Sequence, residues 1–192
     1  PLAMTLSPDR GRIVVLLNGW REQGIQVIDR RSGEVLQKIP LPAVFLGITF
    51  SPDGHSLYVS GGNQDVIYRF DWTDGKANLA DSIQLAVKPK DHNGTRYPAG
   101  IAISRDGRTL YAAENLADSL AVIDIPSRRV IQRLATERYP YGVVVGNDGR
   151  PPRAGVDQAL RRPPGFDRLG PGRIMLVPVI FAERPAVGDD HR

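Results

Sequence analysis

Nine polar and aromatic residues stand in the loops of this chain, and their types are those that bind small polar ligands. Amide and carboxylate oxygens accept hydrogen bonds, a guanidinium offers a planar fork of N–H donors, and tryptophan offers a broad aromatic surface. Such groups at the mouth of a pocket orient a polar ligand or anchor a partner protein. The candidate binding residues are Asn18, Trp20, Arg21, Asn63, Asp65, His92, Arg96, Glu114 and Asn115.

The sequence contains none of the common motifs of catalytic and metal sites. Ser60-Gly-Gly is not a nucleophile elbow, because Tyr58 stands where that motif requires glycine. No Gly-Lys-Ser/Thr phosphate loop is present. The three histidines, His55, His92 and His191, are too far apart for a metal-ligand spacing. The motifs therefore predict no catalytic residue, no metal and no cofactor.

Composition and charge exclude several classes of partner. The chain has 192 residues, 41% hydrophobic and 24% charged, which is typical of a globular protein. Its 25 basic and 21 acidic residues give a net charge of +4 with the signs interspersed, too weak to predict nucleic-acid binding. Cysteine is absent, so there is no disulfide or thiolate chemistry. No apolar run approaches the roughly 18 residues of a membrane span.

One phrase recurs along the chain and indicates how the candidate residues are positioned. The run that begins Gly100-Ile-Ala-Ile-Ser-Arg-Asp-Gly is rewritten at 47–54, more loosely at 3–10, and in part at 142–149. The equivalent serines, Ser7, Ser51 and Ser104, are 44 and 53 residues apart. Repeats with a period near about forty residues usually form one supersecondary unit that cannot bury its apolar face alone.

Each complete repeat predicts four short antiparallel strands. In the third copy an apolar, β-branched run at 99–104 is typical of a buried strand, and Gly107 permits a tight turn. Further strands are expected at 109–113, 119–125 and 129–134. Four such strands make one propeller blade. We therefore predict an all-β fold: a partial β-propeller of about three four-stranded blades in residues 1–149, plus an incomplete fourth.

Alternate connections of a blade fall on opposite faces, so the repeats also predict where binding occurs. The Asp-Gly turns share one face, here called the turn face. The loops that carry the candidate residues share the other face, here called the loop face. The Tyr97-Pro98 and Tyr139-Pro140 segments lie on the same face, where each leads into the first, inner strand of a blade. The polar insertion at 87–96 is expected to stand off the loop face. The predicted partner there is a protein or a small polar ligand.

A structural role is the alternative for each candidate residue. Asparagine and aspartate often satisfy backbone groups in tight loops. Trp20 is the strongest individual candidate, because a tryptophan between Gly19 and Arg21 has no evident core role; the alternative is that it packs over the neighbouring blade. The Tyr-Pro pairs repeat at equivalent positions, which favours an architectural role. Asp74-Gly75 is interpreted as a hairpin turn rather than as part of a calcium loop.

The third repeat resembles the YVTN repeat of surface-layer-type β-propellers. The resemblance lies in Tyr97-Pro-x-Gly, in the following Ser-x-Asp-Gly-Arg-x-Leu-Tyr, and in Val122-Ile-Asp. Segments 16–24, 60–65 and 113–119 are similar to a narrower group, in which the propeller lies ahead of an alkaline-phosphatase-superfamily phosphoesterase domain. The resemblance covers residues 1–149.

This resemblance implies a non-catalytic recognition or scaffolding domain that is accessory to a phosphoesterase domain. The alternative is enzymatic, because lactone-hydrolysing enzymes use related seven-bladed propellers. In that alternative the mouth binds a metal or a sugar lactone, with Asp65, His92, Arg96 and Glu114 as candidates. A periplasmic or extracellular location is implied by the resemblance alone, since the sequence from Pro1 shows no targeting pattern.

The pattern stops after residue 149. Residues 150–192 contain seven prolines and five glycines, and Pro151-Pro152 falls where a strand is due. This segment is either a divergent extension or an out-of-frame translation, and only 174–181 has strand character, interrupted by Pro178. Fewer than four blades do not close a ring, so we expect a fragment of a longer propeller that associates edge to edge with itself.

Overall fold

Three four-stranded antiparallel sheets and one two-stranded sheet make up the described fold, and in each four-stranded sheet the strands lie side by side in sequence order. The computed structural model describes residues 1–19, 22–88, 90 and 92–145, together with the backbone of 175–177. The sheets are the predicted propeller blades, which confirms the all-β fold class. None of the helices within these described ranges is long and apolar enough to cross a membrane.

The strand bounds follow the repeats closely. Blade 1 contains β1 (Ala3–Leu6), β2 (Arg12–Asn18), β3 (Gln23–Asp29) and β4 (Val35–Pro40). Blade 2 contains β5 (Ile48–Phe50), β6 (Ser56–Ser60), β7 (Val66–Thr73) and β8 (Lys76–Gln84). Blade 3 contains β9 (Pro98–Ile103), β10 (Thr109–Glu114), β11 (Ser119–Asp124) and β12 (Arg129–Ala135).

A further strand begins after blade 3. Strand β13 (Gly142–Val144) pairs antiparallel with β14 (Met175–Val177). Strand β14 lies within 174–181, the stretch of the tail in which the sequence predicted strand character. The other predictions for 150–192 fall outside the described residues.

The core lies between blades, which explains why the inner strands read as continuous apolar runs. Strands covered on both faces need apolar side chains at successive positions rather than at alternate ones. Between blades 1 and 2 the core includes Val14, Leu16, Val27, Val59, Phe70 and Trp72. Between blades 2 and 3 it includes Tyr58, Ile67, Ile83, Leu110, Ala112 and Ile123.

The repeated Ser-x-Asp phrase forms the same hydrogen-bonded turn in all three blades. In blade 3 the hydroxyl of Ser104 donates to Asp106 Oδ1 at 2.6 Å, and that oxygen also accepts the backbone N–H of Arg108 at 3.0 Å. The Ser104 Oγ in turn accepts the N–H of Thr109 at 2.9 Å. The donated hydrogen bonds, first that from serine, lower the pKa of Asp106. The phrase thus recurs because it closes the turn between the first two strands.

The glycine that opens the phrase is needed for a close approach between blades. A Cβ on Gly47 would lie 2.4 Å from the carbonyl oxygen of Ala99, and one on Gly100 would lie 2.5 Å from that of Tyr141. The Gly100 N–H donates to the same Tyr141 oxygen at 2.7 Å. The backbone of the next blade therefore occupies the space of a side chain, and the Tyr-Pro-x-Gly pattern is architectural.

Asp74 and Gly75 form the two-residue turn of the β7–β8 hairpin. Both have left-handed backbone conformations, with φ of 53° and 71°. Two successive positive φ values are what a tight hairpin turn of this kind requires. The interpretation of Asp74-Gly75 as a hairpin turn is confirmed.

Candidate functional site

The predicted loop face exists in the structure, since its two kinds of loop hydrogen-bond to each other. The short 3-10 turn Asn115–Ala117 follows β10. It contacts the segment that leads into β9 and the segment that leads into β13. The N–H of Leu116 donates to the Arg96 carbonyl at 3.1 Å, and the Asn115 amide donates to the Pro140 carbonyl at 3.3 Å. The candidate residues after β6 and β10 therefore share one face with the segments that lead into β9 and β13.

Asp65 uses its carboxylate to hold the start of blade 3. It is fully buried, with a left-handed φ of 55°, at the end of the loop after β6. Its Oδ2 accepts the N–H of Thr95 at 2.6 Å, and its Oδ1 accepts the N–H groups of Arg96 and Tyr97 at 2.9 and 2.8 Å. Both oxygens are therefore engaged in a joint between blades.

The end of the 87–96 insertion packs onto blade 2 instead of standing off the loop face. The Asn63 side chain accepts the N–H of Gly94 at 2.8 Å and donates to Asn93 at 3.3 Å. Gly94 is buried, and a Cβ there would lie 2.6 Å from Asp65 Oδ1. The expectation of a free-standing loop is wrong for this part, because polar side chains of blade 2 bind its backbone.

Glu114 lies in a cluster of charges between blades 2 and 3. Its carboxylate is fully buried and accepts the hydroxyl of Ser119 at 2.6 Å and the Nε–H of Arg133 at 3.0 and 3.1 Å. Arg133 also donates to the Leu85 carbonyl at 2.7 Å, which ties the cluster to blade 2. The Nη1 of Arg96 lies 3.8 Å from Glu114 Oε2, so two candidate residues are brought together here.

Three aromatic side chains meet where inner strands begin. The ring of Phe45 packs edge-on against that of Tyr97, with centroids 5.0 Å apart, and lies 6.0 Å from that of Tyr141. Burial raises the pKa of the Tyr97 phenol. Each phenol combines an apolar ring with a hydroxyl, which suits the wall of a site for a polar ligand.

The other candidate residues are dispersed. His92 is exposed, and Asn18 is half-buried at the end of β2. Trp20 and Arg21 fall outside the described residues, so their predicted role stays a prediction. Asn115 is buried against Pro140. No group of three or more acidic or histidine side chains within the described part of the chain is arranged to hold a metal ion.

A cleft of 590 Å³ lies on the opposite, turn face, between blades 2 and 3. Its cationic side chains are already paired, since Arg69 Nη2 lies 2.8 Å and Arg128 Nη2 3.2 Å from Asp81 Oδ2. Asp53 and Asp106 also line the cleft, and each is held by the serine of its own turn. The charges of this cleft therefore serve the fold, and the loop face remains the better candidate site.

Sequence reasoning missed Arg133 and Ser119, the partners of Glu114. Arg133 lies on the outermost strand of blade 3 and Ser119 at the start of β11, so both read as ordinary strand residues. One signal was available. At the position of Glu114 the other repeats have Leu17 and Gly61, and a carboxylate among such residues requires a buried partner.

Part of the chain is similar in sequence to known proteins. Residues 47–150, just over half of the chain, match the profile of the family described as "Lactonase, 7-bladed beta-propeller". A stretch of 78 residues is 32% identical to an uncharacterized protein of Lactococcus lactis subsp. cremoris, and covers 41% of this chain and 23% of that protein. A stretch of 80 residues is 32% identical to a 6-phosphogluconolactonase of Serratia proteamaculans, and covers 40% and 24%. The chain spans about a quarter of the length of these relatives.

Solved structures share the arrangement of blades. The hydrazine synthase of Kuenenia stuttgartiensis superposes with a TM-score of 0.62 at 24% identity, over 78% of this chain and 40% of that one. A virginiamycin B lyase from Staphylococcus aureus superposes with a TM-score of 0.58 at 24% identity, over 76% and 45%. At these identities the likeness is one of fold alone.

Proposed function

Because the chain belongs to the seven-bladed β-propeller lactonase family, we propose that it forms part of an enzyme that hydrolyses a sugar lactone at the loop face. The observation that carries this proposal is the family match over residues 47–150. The relative named 6-phosphogluconolactonase supports a phosphorylated sugar lactone as the substrate class. The enzymatic alternative of the sequence analysis is thus favoured over a purely non-catalytic role.

Lactone hydrolysis needs a base that activates water and donors that hold the carbonyl oxygen as it gains charge. Imidazole is suited to the first task, because its ordinary pKa lies near neutral pH. Two histidines are described: His92 lies exposed in the insertion on the loop face, whereas His55 lies on the turn face beside Asp53. In this proposal His92 is the candidate base.

Asp65 and Glu114 have no such part in the proposal. The oxygens of Asp65 accept three backbone N–H groups, and those of Glu114 accept donors from Ser119 and Arg133. A carboxylate with its oxygens so engaged is poorly placed to take a proton from water. Their contribution is to hold the loops of the face in position.

The test is a lactone hydrolysis assay on the seven-bladed protein that contains these blades. We expect consumption of 6-phosphogluconolactone above the spontaneous rate, and a loss of kcat of about 100-fold or more in His92→Asn. His55→Asn is the matched control on the turn face and should leave kcat unchanged. Hydrolysis no faster than in buffer would exclude the enzyme, and an unchanged kcat in His92→Asn would remove His92 from the mechanism.

Recognition by the loop face, next to an attached phosphoesterase domain, is the second candidate function. It is favoured by the engagement of Asp65 in a joint between blades and of Glu114 with Arg133, which leaves a rigid face that carries Asn18 and the aromatic cluster. Rigid scaffolds with variable loops commonly serve binding. A propeller that binds the phosphoesterase domain without hydrolysing lactones, and loses that binding on Trp20→Ala with Arg21→Ala, would favour this function.

A further inference from the structure

Two cationic side chains adjoin the buried carboxylate of Glu114. The Nε of Arg133 and the Nη1 of Arg96 lie 3.0 and 3.8 Å from the same oxygen, Glu114 Oε2. Two guanidinium groups therefore adjoin the single carboxylate of Glu114. Because the Glu114 carboxylate is fully buried, these charges interact in a medium that screens them less than water does.

The repeat itself does not require this cluster. In blades 1 and 2 the position of Glu114 is occupied by Leu17 and Gly61, and those blades form the same four-stranded sheet. At Gly61 a Cβ would lie 2.6 Å from a methyl of Val66, so packing fills that space without charges. A buried ion cluster is rarely the most stable solution for packing. Blade 3 therefore carries a charge arrangement that the fold alone does not explain.

Arg96 is the unsatisfied member of the cluster. Its separation from Glu114 exceeds a hydrogen-bond distance. Its Nε is buried and has no hydrogen-bond partner among the described residues. Arg133, in contrast, uses Nε on Glu114 and Nη2 on the Leu85 carbonyl. Because that Nε is enclosed, an acceptor from outside the chain can reach Arg96 only at its Nη groups, of which Nη1 lies 3.8 Å from Glu114 Oε2.

Both guanidinium groups are partly open to solvent, so such an acceptor can reach them. The side chains of Arg96 and Arg133 are each 34% exposed, although the carboxylate beneath them is not exposed at all. Guanidinium groups bind oxyanions through paired N–H donors. One bound monoanion would accept hydrogen bonds from the Nη groups of Arg96 and place a second negative charge beside the two guanidinium groups.

We propose that Arg96 and Arg133, over the buried Glu114, form a binding site for an oxyanion group, either a phosphate or a carboxylate. Glu114 positions Arg133, and Arg96 supplies the free donors. The site is independent of lactone hydrolysis, since it is a binding property of blades 2 and 3 of this chain.

The test is isothermal titration calorimetry of the 192-residue chain with inorganic phosphate, and separately with acetate, at constant ionic strength. We expect saturable binding with one site per chain and at least tenfold weaker binding in Arg96→Gln. Arg138→Gln is the matched control, because Arg138 precedes Tyr139-Pro140 as Arg96 precedes Tyr97-Pro98. Its affinity should equal that of the wild type. Binding of phosphate alone identifies a phosphate group, binding of acetate alone identifies a carboxylate, and equal binding of both identifies a site for either oxyanion.

Circular dichroism establishes whether Arg96→Gln retains the strands. If it does not, Arg96→Lys keeps the charge without the planar fork, and should bind about threefold to tenfold more weakly than the wild type. Absence of saturable binding of either anion would overturn the proposal. So would an affinity that is the same in the wild type and in the folded Arg96 variant, or that falls equally in Arg138→Gln.

Discussion

The carboxylate of Asp65 accepts the backbone N–H of Tyr97 at 2.8 Å, and thereby joins the third strand of blade 2 to the inner strand of blade 3. The same relationship recurs one blade later, where Asp118 Oδ1 accepts the N–H of Tyr139 at 2.9 Å. Both tyrosines have a left-handed φ of 54°. A left-handed backbone is unfavourable for tyrosine, and the hydrogen bond from its N–H to the aspartate stabilises that conformation at each joint.

Asp65→Ala is expected to lower the free energy of unfolding by about 3 kcal/mol, because it leaves several N–H groups at a buried joint without an acceptor. Urea denaturation followed by circular dichroism measures the change. Asp118→Ala is the control, since Asp118 is exposed and accepts one such bond; a loss of about 1 kcal/mol is expected there. Equal losses in the two variants would contradict this account of the joint.

Gly47→Ala is expected to destabilise the chain by about 2 kcal/mol or more, because the new methyl would overlap the carbonyl of Ala99 in the next blade. Gly19→Ala is the matched control: the nearest atom to a Cβ there, the Glu22 carbonyl oxygen, is 3.7 Å away. Its free energy of unfolding should stay within about 0.5 kcal/mol of the wild type. A tolerated Gly47→Ala would mean that the inner strands can separate without penalty.

Acid should destabilise the chain through its turn aspartates. Hydrogen bonds, first from the serine hydroxyl and then from backbone N–H, lower the pKa of Asp9, Asp53 and Asp106 below the ordinary 3.8. A carboxyl with a lowered folded-state pKa contributes stability above its unfolded pKa, and that contribution is lost as the pH falls through the lower folded value. Stability should therefore decline below about pH 4.

Ser104→Ala tests the cause of the lowered pKa. Without the hydroxyl donor the pKa of Asp106 should rise towards its ordinary value, and carboxyl carbon NMR titration of that residue would show the shift. Ser127→Ala is the control, because Ser127 donates to Asp124 in a different turn. It should move the titration of Asp124 and leave that of Asp106 in place. An unchanged Asp106 titration in Ser104→Ala would show that the backbone donors alone set the pKa.

The strands and turns could be predicted from the sequence because their determinants are local. The hydroxyl of Ser104 and the carboxylate of Asp106 are two residues apart, so their turn is visible in one repeat and recurs in the others. Apolar runs buried on both faces give a similarly local signal. Predicted strands in the third repeat therefore differ from the observed ones by a single residue at each end or less.

For the candidate site, the sequence predicted the face on which it lies but not the contacts of its side chains. Asp65 binds backbone groups 30 to 32 residues later, and Glu114 binds Arg133 across 19 residues, so neither partner is visible from the local sequence. The residue types were informative, since polar side chains in loops do mark the joints. What the sequence could not reveal is that several of these side chains are already engaged, Asp65 by the start of blade 3 and Glu114 by Arg133 of its own blade.

Self-association through the flank of blade 1 is the last prediction. Strand β1 and the residue before it expose Leu2, Met4 and Leu6, with Met4 at 71%. In a closed ring another blade covers this side of blade 1. In the isolated chain a second copy can cover it instead and pair with an unpaired strand edge. Sedimentation velocity should therefore show concentration-dependent dimers, and Met4→Lys should shift them towards monomers by charging the contact.

Ile131→Lys is the matched control, because Ile131 is 63% exposed on β12, the outermost strand of blade 3. Its sedimentation should equal that of the wild type, since an exposed residue at the rim of the ring is not covered by another blade. A wild-type chain that stays monomeric at all concentrations would show that the flank of blade 1 is stable in water without a cover. If Met4→Lys and Ile131→Lys dissociated the dimer equally, the cause would be the added charge that both variants share. The contact between the copies would then not lie at Met4.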